Sequence, residues 1–143
     1  MLKLEAAQKI LAAAQAHARA SKLNPLAIAV LDARGALRSF LMEDDNSLKR
    51  GEIAIGKAHA AIAFGMGSRT INKMAKDRPH FVGALPQAVG GPFIPVPGGV
   101  LIRTAGGEVV GSVGISGDTS DNDEAAAIAG IKAAGLVADP GSD

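Results

Sequence analysis

The chain has 143 residues, enough for one domain with a substantial core, and 48% apolar against 20% charged residues excludes a disordered segment. A formal net charge of +1, no Trp or Tyr and only four Phe leave neither the basic face nor the stacking rings that nucleic-acid binding needs. The lack of cysteine excludes disulfides, thiolate catalysis and Cys-ligated zinc or iron–sulfur sites, and no apolar run reaches the roughly eighteen residues of a membrane span.

Residues 3–20 carry Leu4, Ala7, Leu11, Ala14 and Ala18 at helical spacing, which predicts a first amphipathic helix. Lys3, Glu5 and Lys9 interrupt any export-signal core, so a cytoplasmic protein is expected, with His17 facing solvent near the helix end. Asn24-Pro25 breaks the pattern. The runs 26–31 (LAIAVL) and 36–42 (ALRSFLM) flank Asp32-Ala33-Arg34-Gly35, with glycine where a turn needs positive φ, and together predict a β-hairpin. The first of its strands is apolar throughout, which implies cover on both faces.

Residues 48–64 predict a second helix. Its stretch 51–58 follows a phosphate-binding loop up to the last position, where Ala58 replaces the magnesium-binding hydroxyl. The stretch continues a helical apolar pattern and no strand runs directly into it, so helix packing is the better account. Ser68 is expected to cap a third helix running through Lys76 and ending before Arg78-Pro79. The Gly- and Pro-rich residues 82–92 read as an ordered loop, followed by short strands at 93–96, 100–104 and 108–116. The last strand is threaded with Gly111 and Gly114, a pattern that suggests close approach of another backbone or a ligand. A final helix over 121–137 starts with Asp121 as cap and Glu124 three residues on, and Asp139-Pro140-Gly141 ends the domain. Asp118, Ser120, Asn122 and Glu124 lack the glycine and bidentate acid of a calcium loop, so capping explains them better. The order α-β-β-α-α-β-β-β-α predicts one α+β domain over residues 1–143, with an antiparallel sheet and helices on both faces.

Histidines alone change charge near neutral pH without strong perturbation. His59 lies four residues after Ile55 and three before Ile62, on an apolar helix face, and His80 follows Arg78-Pro79. Both are candidates for ligation or proton transfer, and no pair of histidines has metal-motif spacing, so no dedicated metal site is expected. Lys57, Arg69 and Lys73 could supply positive charge to a carboxylate-bearing ligand.

Three stretches carry a family resemblance. The hairpin Ala29–Leu37, the helix Ile53–Phe64, and Pro97-Gly98-Gly99 with Gly111–Gly117 and Asp123-Glu124 match in order. They resemble "VVDxxGxL", "A-xx-KA-x-TA-xx-F" and "GG…GAIGVSG…xDE" of the GlcG/HbpS-like proteins. That family is also called the haem-degrading or DUF336 family and includes the C-terminal domain of PduO-type proteins. The threonine of the second motif is Ala60 here, so a role for its hydroxyl does not carry over. The resemblance implies profilin-like α/β/α layers around a five-stranded antiparallel sheet, and homo-oligomers commonly built from dimers. It also implies small-molecule binding, with haem or a related tetrapyrrole as the specific expectation. His59 or His80 would then be the axial ligand, and Lys57, Arg69 or Arg78 would meet the propionates. A second reading is a cofactor-free isomerase or tautomerase of hydroxy-acid or aromatic catabolism. In it His59 or His80 moves a proton, and Asp123 or Glu124 takes part. A third is an accessory protein with no small-molecule site.

Overall fold

The computed structural model describes all 143 residues. Its elements are α1 (Leu4–Ala20), β1 (Ala27–Asp32), β2 (Leu37–Met42), α2 (Arg50–Phe64), α3 (Ser68–Asp77), α4 (Pro79–Val89), β3 (Gly99–Arg103), β4 (Val109–Ser116), α5 (Ser120–Ala133) and β5 (Val137–Asp139). The five strands form one antiparallel sheet in the order β2-β1-β4-β3-β5. Helices α1 and α5 pack on each other beneath one face, while α2 lies along β4, β1 and β3 on the other.

Alternation of side chains across the strands sets these layers. Ile28, Val30, Val100, Ile102, Val113 and Ile115 point toward α1 and α5, where Ile10, Ala14, Ala18, Ala127 and Ile131 complete the main core. Ala27 and Ala29 point the other way and meet Ala54 of α2. Every residue of β1 is buried, as expected for a central strand covered on both faces. Each fully buried Ile or Val contributes about 1.5–3 kcal/mol, so this core is the main source of stability. Gly35 takes φ 84° in the β1–β2 turn. Asp32 secures that turn by accepting from the backbone N–H of Arg34 at 2.9 Å and of Ala36 at 3.1 Å.

Several boundaries differ from the sequence expectation. Residues 82–92 are not a loop: α4 runs through most of them, with Pro79 in its first turn and Val82 and Leu85 buried against Ala60, Ile71 and Phe93. Residues 93–96 form no strand, because prolines at 92, 95 and 97 remove the ladder donors, and the Ile94 N–H goes to the Gly56 carbonyl at 3.2 Å. The fifth strand is β5, inside the stretch expected to be the last helix and its end, which stops at Ala133 before Gly135 at φ 75°. Thr119, and not Asp121, caps α5, its hydroxyl accepting from the Asn122 N–H at 3.2 Å. Ser68 does not cap α3; its hydroxyl accepts from the Gly99 N–H at 2.7 Å and ties α3 to the start of β3. His17 is partly buried, not fully in solvent.

Candidate functional site

His59 projects from α2 at a place where two loops close on its ring. Its Nδ1 lies 2.8 Å from the Pro92 carbonyl. A carbonyl can only accept, so Nδ1 is the donor in this contact, and in the neutral imidazole Nε2 is then the nitrogen that keeps its lone pair. A Cβ at Gly91 would fall 2.8 Å from the imidazole Cε1, and one at Gly35 would lie 3.6 Å from Cδ2. Glycine at 91 therefore lets the chain after α4 lie against the ring.

One helical turn before His59, Ile55 lines a groove of about 370 Å³ between α2 and β2, together with Leu37, Phe40, Met42 and Leu48. Phe40 and Met42 pair with Ala29 and Ala27, so they stand on the α2 face of the sheet. No further strand covers β2, and Leu48 and Leu37 remain 82% and 51% exposed. The sequence signal for this groove was present in ALRSFLM, which is apolar on both sides of a strand, but nothing marked β2 as an edge.

Lys57, on the opposite side of α2, is buried. Its ammonium donates to the Ile115 carbonyl at 2.9 Å and to Asp123 Oδ2 at 3.1 Å, and Asp123 Oδ1 accepts from the Asp118 N–H at 3.0 Å. Burial pulls the Lys57 ammonium below its ordinary range and pushes the Asp123 carboxyl above its own, while the attraction between them opposes both shifts. Lys57 was expected as a cation for a ligand; within this chain its charge is spent on Asp123 under the start of α5.

Arg69 meets Glu124 (Nε to Oε2 3.0 Å), Asp121 and Asp143 (Nη1 to Oδ2 3.1 Å). Hydrogen bonds to Glu124 and then Asp121 hold its guanidinium well above the usual arginine range. Arg78 is exposed and stacks over Phe81, 4.2 Å from the ring centroid, and His80 is exposed in the first turn of α4. The fold thus joins Lys57 to Asp123 and Arg69 to Glu124, and no hydrogen bond joins His59 to His80 or to any of the cations. No group of three or more His, Asp or Glu side chains gathers in a way that could hold a metal ion. No helix is long and apolar enough to cross a membrane.

A family model described as "Haem degrading protein HbpS-like" matches residues 2–132. No curated protein matches the chain significantly. Among solved structures, the PduOC:heme complex superposes with TM-score 0.83 at 23% identity, covering 94% of this chain and 96% of that one. Protein ORFY of Klebsiella pneumoniae, a DUF336 protein, gives TM-score 0.83 at 23% identity over 94% of this chain and 90% of its own. HbpS gives TM-score 0.79 at 27% identity over 92% of this chain and 88% of its own.

Proposed function

Because the chain belongs to the HbpS-like family of haem-degrading proteins, we propose that it binds haem or a related tetrapyrrole, with His59 Nε2 as the axial ligand. The observation that carries this reading is the hydrogen bond of Nδ1 to the Pro92 carbonyl, which orients the ring and leaves Nε2 a free acceptor. The apolar groove at Leu37, Phe40, Met42 and Ile55 suits one face of a planar ring system. A related structure, PduOC, is a haem complex. When bound, the group would supply an iron that takes an imidazole nitrogen; the chain's part is to orient that imidazole and keep water from the ring face.

Of the three cations expected to meet the propionates, two are engaged within the chain. Lys57 is buried on Asp123 and Arg69 is held by three carboxylates, so of these three only Arg78 is without an ion pair. The same exhaustion of Lys57 and Arg69 gives the isomerase reading less support, since it needs a free cation beside His59. A homo-oligomer belongs to this reading: the groove covers one face of a flat ligand, and a second protomer against β2 would cover the other. Hemin titration of the purified protein tests it. A shifted Soret band is expected, retained in His80→Ala and abolished or weakened about tenfold in His59→Ala. An unshifted band, or one indifferent to His59→Ala, overturns the assignment.

A further inference from the structure

A second cavity, of about 460 Å³, opens between α3 and the first turn of α5, and its chemistry is unlike that of the groove at β2. Arg69, Asn72, Lys73 and Lys76 line it from α3 at positions i, i+3, i+4 and i+7, so they form one face of that helix. Helix α3 buries Ser68 and Ile71, and its packing does not require three cations along one face. Lys76 makes no ion pair, and Lys73 reaches only Asp77 on its own helix, at 2.8 Å.

The bonding of Arg69 divides into an inner and an outer half. Glu124, 13% exposed, holds Nε from the protein side. The outer nitrogens meet Asp121 and Asp143, whose side chains are 81% and 67% exposed. Exposed ion pairs of this kind contribute little and exchange readily. Asp143 is delivered by a short strap: the Ser142 N–H donates to Thr70 Oγ1 at 2.9 Å, and the Thr70 hydroxyl donates to the Ser142 carbonyl at 3.2 Å. A guanidinium held by Glu124 on its inner edge, and by the solvent-exposed carboxylates of Asp121 on Nη2 and Asp143 on Nη1, is arranged to exchange the Asp143 carboxylate for another oxyanion.

We infer that this cavity is a binding site for a small oxyanion bearing two or more negative charges, and that the Asp143 carboxylate occupies the site in its absence. The ligand's first anionic group takes the place of Asp143 on Arg69 Nη1, and a second reaches Lys73 and Lys76, one and two turns further along the same face of α3. Its size fits a metabolite-sized anion. Polyphosphates and polycarboxylates share this chemistry. The site does not use His59 or the β2 groove, so it stands or falls apart from haem binding.

Calorimetric titration of the full chain, free of haem and magnesium and at low ionic strength, with pyrophosphate in one arm and citrate in the other, tests the proposal. At least one anion is expected to bind the wild-type chain or Asp143→Asn, and the arm that responds separates phosphate from carboxylate chemistry. Asp143→Asn should tighten binding about threefold or more by removing the competitor, and Lys73→Gln/Lys76→Gln should weaken it about tenfold. Both variants change exposed side chains, and an unchanged unfolding midpoint shows that the fold is kept. Failure of both anions to bind either wild type or Asp143→Asn overturns the proposal, as does binding indifferent to the double lysine substitution. Binding that Asp143→Asn leaves unchanged overturns the role of Asp143.

Discussion

Asp32 and Asp123 are two buried aspartates whose surroundings push their carboxyl groups in opposite directions. The Arg34 side chain, and then the backbone donors of Arg34 and Ala36, hold Asp32 below its ordinary value of 3.8, against the opposing effect of burial. A carboxyl depressed in the folded state contributes stability that is present above its ordinary value and lost as pH falls through the folded value. Urea unfolding of the wild-type chain should therefore weaken below about pH 4, and Asp32→Asn should be less stable at pH 6 while losing less on acidification. Equal acid sensitivity in the two proteins would remove Asp32 from the account. Asp123 is the reverse case, a carboxyl raised by burial and kept in place by Lys57. Lys57→Met leaves that charge without its partner and should cost about 3–5 kcal/mol at pH 7. Lys57→Met/Asp123→Asn should cost less than the sum of the single changes, because residues in contact do not act additively. Both members of the pair stood out in the sequence, but they are 66 positions apart, and a pairing across that separation leaves no trace in spacing. Arg69 and Glu124, 55 apart, were hidden in the same way.

The glycine-threaded strand β4 shows what small residues do at the level of elements. A Cβ at Gly114 would lie 1.9 Å from the Ala54 carbonyl and 2.7 Å from the Ala58 nitrogen, so α2 rests directly on the sheet there. The close approach that the sequence suggested is by a helix backbone and, at Gly111, by the Leu31 carbonyl of β1, 2.3 Å from where a Cβ would be. Gly114→Ala should cost about 3 kcal/mol or more, since backbone must move to admit one methyl group. Gly83 is a control in the exposed middle of α4, with nothing within 4 Å of a Cβ, and Gly83→Ala should stabilise by about 0.5–1 kcal/mol. Unfolding midpoints of the two variants moving in the same direction would contradict this account. Helix α4 itself was legible, because Val82, Leu85 and Val89 have helical spacing. Gly83, Pro86 and Gly90 outweighed that signal as local breakers. Yet Pro86 sits seven residues into the helix, where partners from α2 and α3 support its apolar face. The strand expected at 93–96 failed for the opposite reason, since its apolar residues alternate with prolines that cannot donate to a ladder.

At the scale of the whole molecule the two sheet edges are unequal. The outer edge at β5 is three residues long and carries the Arg103–Asp139 ion pair, with Nε 2.8 Å from Oδ2, a charged pair of the kind that discourages strand addition. The edge at β2 is six residues long and exposes Leu37, Phe40 and Met42 beside Leu48, an apolar surface with no partner in the single chain. The layers and the antiparallel sheet followed from apolar periodicity and turn residues, which are local. The identity of the exposed edge did not, because it depends on which strand lands last in the sheet order. If association belongs to the function proposed above, it should run through β2 and not β5. Light scattering should then give a wild-type mass that is a multiple of 14.4 kDa, and Phe40→Glu should reduce it toward a single chain, since burying an unpaired carboxylate costs several kcal/mol. Val137→Glu, on the exposed edge at β5, should leave the mass unchanged. In Phe40→Glu, the hemin affinity should fall together with the mass, because one protomer covers only one face of the ligand. A wild-type mass of one chain would overturn the association itself, and loss of association in Val137→Glu alone would place the partner surface at β5 instead of β2.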